Sequence, residues 1–433
     1  MVTIEELYAL YTQHPVISTD TRKITPGCIF FALKGENFNA NAFADTALES
    51  GAAFAVVDDP EVARSGRHLL VPDVLESLQA LARYHRGRLT IPFIGITGTN
   101  GKTTTKELVL SVLSRRFKAF ATQGNLNNHI GVPLTVLSIR PETEIAIIEM
   151  GANHQGEIAF LCGIARPDHG LITNVGKAHL EGFGGFEGVK IAKGELYAFL
   201  AREGGRVFAN RDNAHLAGML SEHQVTDPVY YGTGSGNYVS GQLVSNPPLV
   251  VRWRKDGEAK DRESASHLTG SYNLENILAA AAIGSYFGLT PEEIHAGITG
   301  YVPTNNRSQI RQTAANTIIC DYYNANPSSM SLALDNLVST SAETKGFILG
   351  DMFELGAESA AEHRQIVEKA SGIAAARKIF VGMEFYRVKN GDAEFYQTTE
   401  EAKQALRDHP VRNSTILVKG SRGMKLETLT DLL

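Results

Sequence analysis

Cysteine is scarce in this chain: three in 433 residues, Cys28, Cys162 and Cys320, far apart in sequence. Their spacing makes no metal-ligand pattern, and so low a count suits a reducing compartment where each thiol is a small core residue. Positive charge is not in excess either. Lys and Arg number 41 against 47 Asp and Glu, a net charge of −6. Bulk attraction to nucleic acid is thereby excluded, and only a local basic pocket stays open. No apolar run is long enough to span a membrane, and the opening "MVTIEELYALYTQH" carries acids where a signal peptide carries bases. Internal repeats and low-complexity tracts are missing. The expectation is a cytoplasmic protein with no membrane insertion and no nucleic-acid partner. Nothing in the sequence calls for an obligate interface, so a monomer is expected.

What is present is ordinary globular material, 43% hydrophobic and 20% charged. The length exceeds what one core supports, so roughly three domains of ~100–200 residues are expected. Residues 1–88 read as a small α/β domain, with "CIFFAL" and "AAFAVVDD" as strands and "VLESLQALARYHRGR" as a helix. Residues 89–305 alternate strand and helix more densely. "FIGIT", "EIAIIEM", "GLITNV" and "GRVFAN" are the short continuous apolar runs that a parallel sheet buries on both faces. "NYVSGQLVSNPPLVVRWRKDGEAK" alternates instead and carries a turn signal, which implies antiparallel strands. After "YVPTNNRSQI", residues 306–433 give "TIICDYY", "GFILGDM", "KIFVG" and "TILVKG" separated by helices, a doubly wound, Rossmann-like sheet.

One stretch carries chemistry on its own. "GITGTNGKTTTKELVLSVL", from Gly95 to Leu113, runs from buried strand through a glycine-rich loop into a helix. Such a loop aims backbone N–H groups and the helix dipole at a phosphate. Gly98 and Gly101 permit close backbone approach, Lys102 can reach the β and γ phosphates, and the Thr103 hydroxyl can sit on Mg²⁺. Only Thr99 and Asn100 separate the two glycines, so the loop is a shortened variant of the P-loop. Its neighbours extend the site. Glu149 closes a strand at the edge of the sheet where ligands collect, and a carboxylate there can hold Mg²⁺. Taken alone it is as readily a solvated strand end. His179 follows another strand among glycines. Lys193 lies between Ala192 and Gly194 in the helical "GVKIAKGELYAFL", where it is either a cation for phosphate oxygens or, once neutral, a nucleophile for CO₂.

The ordered set "GTNGKTTTKE", "GNLNNHIGVPLT", "EMGANHQGEIAFL", "TNVGKAHLEGFG", "AKGELY", "DYYNANPSSM", "GDMFELG" and "KGSRGMKLE" resembles the Mur ligase family of peptidoglycan synthesis over nearly the whole chain. Within that family it looks like the branch that joins D-alanyl-D-alanine to UDP-N-acetylmuramoyl-tripeptide. The resemblance implies a UDP-sugar domain, a central ATPase and a C-terminal domain that closes over ATP. It implies ATP with two Mg²⁺ ions held by Thr103, Glu149, His179 and a carbamylated Lys193. The nucleotide set becomes Gly98, Thr99, Asn100, Gly101, Lys102, Thr103 and Thr104, with Asn276, Arg307 and Asp321. Lys102, Glu149, His179, Lys193 and Asn128 form the catalytic set. Asp20, Thr21, Arg22, Asn153, His154, Asn324, Asn326, Lys419, Ser421 and Arg422 form the substrate set.

Two departures stand out. The N-terminal element has Asp20-Thr21-Arg22 where the family commonly has D-S-R, and Asn39-Ala40-Asn41 where it has D-G-H or D-A-H. The rival expectations are a sister ligase that adds a single amino acid to a UDP-muramoyl peptide or glutamate to folate, and a nucleotide-gated binding protein.

Overall fold

The computed structural model describes every residue except Pro247 and Asn305. The expected boundary between residues 305 and 306, and Pro247 within the antiparallel segment, therefore lie outside the described residues. The fold is α/β throughout, built on three main sheets.

The first sheet is parallel and four-stranded, in the order Ile17–Ser18, Ile29–Phe31, Phe54–Val57 and His68–Leu70. The helix Val74–Arg86 follows, N-capped by the Asp73 side chain and carrying Arg83, His85 and Arg86 in its last turn, where cations suit the dipole. It does not stay with its own sheet. Arg86 is buried, donates to the carbonyls of Ala165 and Arg166, and lies 3.8 Å over the Phe93 ring of the next unit. One hydrophobic cluster runs from Leu7 and Ile29 through Leu78 to Val132 and Ile148, so the first two units share a core.

The second sheet has nine strands, in the order Arg262–Ser266, Leu249–Lys255, Val239–Ser245, Val229–Gly232, Arg206–Asn210, His169–Ile172, Phe93–Thr97, Ile145–Glu149 and Ala119–Ala121. The strands Phe93–Thr97 and Ile145–Glu149 are buried at every position, as parallel strands covered on both faces must be. The alternating segment forms the antiparallel end, but it extends this same sheet and makes no separate layer. After Phe93–Thr97 the chain runs to the edge strand Ala119–Ala121, steps back to Ile145–Glu149 beside Phe93–Thr97, and then crosses to build on the other side. That reversal is the place where open α/β sheets bind ligands, beyond the carboxyl ends of their strands.

The third sheet orders Gln309–Gln312, Asn316–Asp321, Ser414–Lys419, Lys345–Gly350, Arg377–Val381 and Glu394–Tyr396, parallel except for the first strand. Its two hydrophobic clusters contain no residue of the other units. Its carboxyl edge faces the phosphate loop of the second unit, and what joins them is polar.

Candidate active site

A cavity of about 750 Å³ lies between the second and third units. Its floor is the loop after Phe93–Thr97. Gly98 holds φ +142°, and a Cβ there would overlap the Thr173 hydroxyl; Gly101 holds φ +79° against the Asn276 amide. Both positions need glycine. The helix Lys102–Leu113 leaves from Gly101 with no side-chain cap, so its first N–H groups point free into the loop. Lys102 folds back to donate to the carbonyls of Gly98 and Thr99 at 2.7 and 3.1 Å. Burial pushes its pKa down to about 8, opposed by Glu149 and reinforced by Arg307.

Thr103 Oγ1 and Glu149 Oε2, near this floor, are buried and unsatisfied. The other Glu149 oxygen accepts from Asn127 Nδ2 at 2.8 Å, and its backbone N–H donates to the Thr122 hydroxyl at 3.0 Å. An ionised carboxylate with one idle buried oxygen is costly unless something positive meets it. Hydroxyl and carboxylate oxygens are the donors a hard cation such as Mg²⁺ takes. Among the described residues no three His, Cys, Asp or Glu side chains gather in a metal-holding group. A magnesium ion here would therefore draw its remaining ligands from phosphate oxygens and water.

His179 has φ +50° at the start of the short helix Leu180–Phe183. Its ring faces the Glu354 carboxylate of the third unit, an ion pair when the imidazole is protonated. Burial lowers its pKa while Glu354 opposes the shift. Lys193 sits in the helix Phe186–Glu203, 2% exposed, with its ammonium 5.0 Å from the Phe183 ring. That ring is 6.3 Å from the ring of His179. Burial first, then the charge of Lys102, bring the Lys193 pKa down to about 7. Lys193, Thr103 and Gly98 lie behind the cavity wall; Glu149, His179, Lys102, Thr99, Asn100, Gly101 and Thr104 line it.

The third unit supplies the roof. Asn326 caps its helix Pro327–Ser339 and donates to Asn100 Oδ1 at 2.8 Å, while Asn100 donates to Ser328 Oγ at 2.9 Å. Lys177 pairs with Glu362 at 2.6 Å across the same junction. Lys419, buried in the roof, pairs with Asp321 at 2.7 Å and donates to the Asn324 carbonyl. Ser421 accepts from the Phe353 N–H, and Arg307 and Arg422 both line the cavity. Asn276 also lines it and accepts from Thr105 at 2.9 Å.

The remaining sequence-derived candidates sit at its margin or elsewhere. Asn128 Oδ1 accepts from the Ile130 and Gly131 N–H groups just before the helix Gly131–Leu137, and Asn128 lines the cavity. Asn153 lines it too; its N–H, like that of His154, donates to Glu157, and His154 lies outside the lining. Asp20, Thr21 and Arg22 form a turn in the first unit, away from the cavity, with Arg22 paired to Asp20 at 2.8 Å. Asn41 is buried and donates to Asn39 and Asp58, so its amide ties the turn at Asn39 to the residue just past the strand Phe54–Val57.

Family models for the Mur ligase middle domain and for the Mur ligase glutamate ligase domain match residues 96–284 and 306–422. The UDP-N-acetylmuramoyl-tripeptide–D-alanyl-D-alanine ligase of Bacillus subtilis is 34% identical over 96% of this chain and 93% of its own length. The chain is a Mur ligase. The Escherichia coli enzyme of the same name is 36% identical over the same shares. Among solved structures, MurF from Acinetobacter baumannii superposes on this Mur ligase with a TM-score of 0.87 at 31% identity, covering 96% of this chain and 92% of that one. MurF from Thermotoga maritima, in complex with ADP, gives 0.85 at 25% identity, covering 96% of each chain. A folylpolyglutamate synthase from Thermotoga maritima shares the fold, with a TM-score of 0.59 at 12% identity.

Several residues around this Mur ligase's site lie inside the quoted motifs but were not singled out from the sequence. Asn127 holds Glu149, Glu354 meets His179, and Tyr323 lies under Arg307 at 4.0 Å. Lys106, fully buried, donates to the Thr122 carbonyl at 2.6 Å and pairs with Glu107. Only its place in "GKTTTKE", one turn beyond Lys102, could have marked it.

Proposed function

We propose that this chain joins D-alanyl-D-alanine to UDP-N-acetylmuramoyl-tripeptide, consuming ATP and releasing ADP and phosphate. The relatives that span nearly its full length carry that activity in their names. The observation that carries the reading in the molecule itself is the junction cavity, where a phosphate loop, an unsatisfied carboxylate oxygen and a third-unit wall bearing Arg307 and Arg422 meet.

A free carboxylate is a poor acyl donor because its leaving group would be oxide. A carboxylate oxygen of the tripeptide attacks the γ-phosphorus, the bond to the bridging oxygen breaks, and ADP leaves. The amine of the dipeptide then attacks the acyl phosphate, phosphate departs, and the nitrogen gives up a proton. Both steps depend on position and charge neutralisation more than on covalent help from the protein. The loop N–H groups and Lys102 hold the nucleotide phosphates, and contact with phosphate restores full charge to an ammonium that burial has weakened. Thr103 and Glu149 would hold one Mg²⁺, and His179 with a carbamate on Lys193 a second. Such ions would supply neutralisation of the phosphates and the substrate carboxylate. A lysine with a pKa near 7 is substantially neutral at physiological pH, which is the form that adds to CO₂.

Asp20, Thr21 and Arg22 take the uridine end in this reading, and the enzyme works in the cytoplasm as a monomer. The test is a coupled assay containing UDP-muramoyl tripeptide, ATP, Mg²⁺ and D-alanyl-D-alanine, omitting each in turn. ADP release should require all four, with the amide product visible by mass spectrometry. ADP release that ignores the dipeptide but requires a single amino acid would transfer the chain to a sister branch.

A further inference from the structure

Arg307 and Arg422 come from distant parts of the chain, one following the connection between the second and third units, the other following the strand Ser414–Lys419. Both meet the same ring. The Arg307 guanidinium lies 4.0 Å and that of Arg422 5.2 Å from the centroid of Tyr323, and all three residues line the cavity. Arg307 Nε is buried with no hydrogen-bond partner. The four carboxylates of the cavity wall are engaged by others: Glu149 by Asn127, Glu157 by the Asn153 and His154 N–H groups, Asp321 by Lys419, and Glu354 by His179. Two cations thus face one cavity with a ring for support and no acid to neutralise them.

A ring is suited to that duty. A carboxylate would orient an arginine by consuming its N–H donors and cancelling its charge. An aromatic face holds the guanidinium plane and leaves donors and charge free for a ligand. We infer that Tyr323 is a positioning residue whose ring seats Arg307 and Arg422 for two anionic groups, the nucleotide phosphates at Arg307 and the carboxylate of the incoming dipeptide at Arg422. The side of the phosphate loop is the nucleotide side, and Arg307 is on it: Ser308, the next residue, hydrogen-bonds Tyr272 at 2.8 Å at the start of the helix whose Asn276 packs on Gly101, and all line the cavity. Gly423, the residue after Arg422, packs against Phe353, an exposed apolar ring of the same wall, which suits a short alanyl side chain next to a carboxylate. The assignment of ligands rests on the proposed ligase reading; the seating of the two cations does not.

The test compares Tyr323→Leu with Tyr323→Phe. In Tyr323→Leu the KM values for ATP and for D-alanyl-D-alanine should each rise roughly 3–30-fold, the range of a lost cation–π contact, with kcat changing less. Tyr323→Phe restores the ring and should recover most of both losses. In an Arg422→Lys background, Tyr323→Leu should cost the dipeptide KM less than it does alone, a non-additivity that a general packing role would not give. Unchanged KM values in Tyr323→Leu, equal impairment in Tyr323→Phe, or strict additivity would overturn the inference. Tyr323→Met serves if the leucine variant fails to fold, and misfolding of both beside a normal phenylalanine variant would make the ring a core element and overturn it too. Should the parent enzyme ligate no dipeptide, the ligase reading falls. ADP affinity of Tyr323→Leu by calorimetry would still decide whether the ring seats Arg307.

Discussion

Lys193 occupies a place in which a charged lysine is penalised. It is 2% exposed, within electrostatic reach of Lys102, and its pKa is pulled down to about 7. An unfolded lysine keeps a pKa near ~10.4, so between about pH 7 and pH 10 the unfolded chain holds a proton that the folded chain does not. Stability therefore rises with pH across that window, and the penalty is complete below it. Lys193→Met should resist urea better than the parent at pH 6 while losing turnover, and the two should converge as pH approaches 10. Lys193→Ala should cost orders of magnitude in turnover, and Lys193→Arg should not restore it, because a fixed cation cannot become a carbamate. Near-native turnover in either would remove the carbamate role. Lys106 is the opposite case, a buried ammonium with its partners in place. Lys106→Ala would leave the Thr122 carbonyl unpaired beside a cavity and should destabilise the fold by roughly 3–5 kcal/mol in denaturant melts.

At the scale of elements, the strand–loop–helix from Phe93 to Leu113 was legible because all its signals are local. Buried strand, positive-φ glycines and uncapped helix start follow one another within twenty residues. The alternating segment was legible as antiparallel strands for the same reason. Its membership of the nine-stranded sheet was not, since that depends on Val229–Gly232 pairing with Val239–Ser245, a partnership no period reveals. The site divides similarly. Lys102, Glu149 and His179 stand at strand ends or loop positions that a sequence displays, whereas Asn127, Glu354 and Tyr323 matter through partners far along the chain. The idle oxygens of Thr103 and Glu149 make a prediction at this level. Thr103→Ala and Glu149→Ala should raise the Mg²⁺ concentration needed for half-maximal ligation about tenfold or more, the loss of one charge-assisted ligand. Unchanged magnesium dependence would count against both as ligands.

At the scale of the molecule, the first and second units behave as one body. They share a hydrophobic cluster, and Arg86 fastens them. The third unit keeps its own clusters and is held across the cavity by polar contacts such as Asn326–Asn100, Lys177–Glu362 and His179–Glu354. Contacts of that kind contribute about 0.5–1.5 kcal/mol each, so a few substitutions should release it. The double variant Asn326→Ala, Lys177→Ala should show a larger radius of gyration in small-angle X-ray scattering, with ATP recovering part of the difference. Acid should also loosen the whole. His85, His169 and His363 have pKa values lowered by burial, so each binds its proton more readily unfolded than folded. The melting temperature should therefore fall as pH drops below about 6.5.

The guanidinium of Arg86 is a rivet between two lobes whose ends would grip opposite tips of one long substrate. With that rivet set, the span from the Asp20 turn to the phosphate loop is a caliper of fixed opening, and on the proposed ligase reading it would gauge the acceptor's peptide stem by length before any amine arrives. A stem one residue too short would bind its sugar and leave its acid group stranded short of the nucleotide.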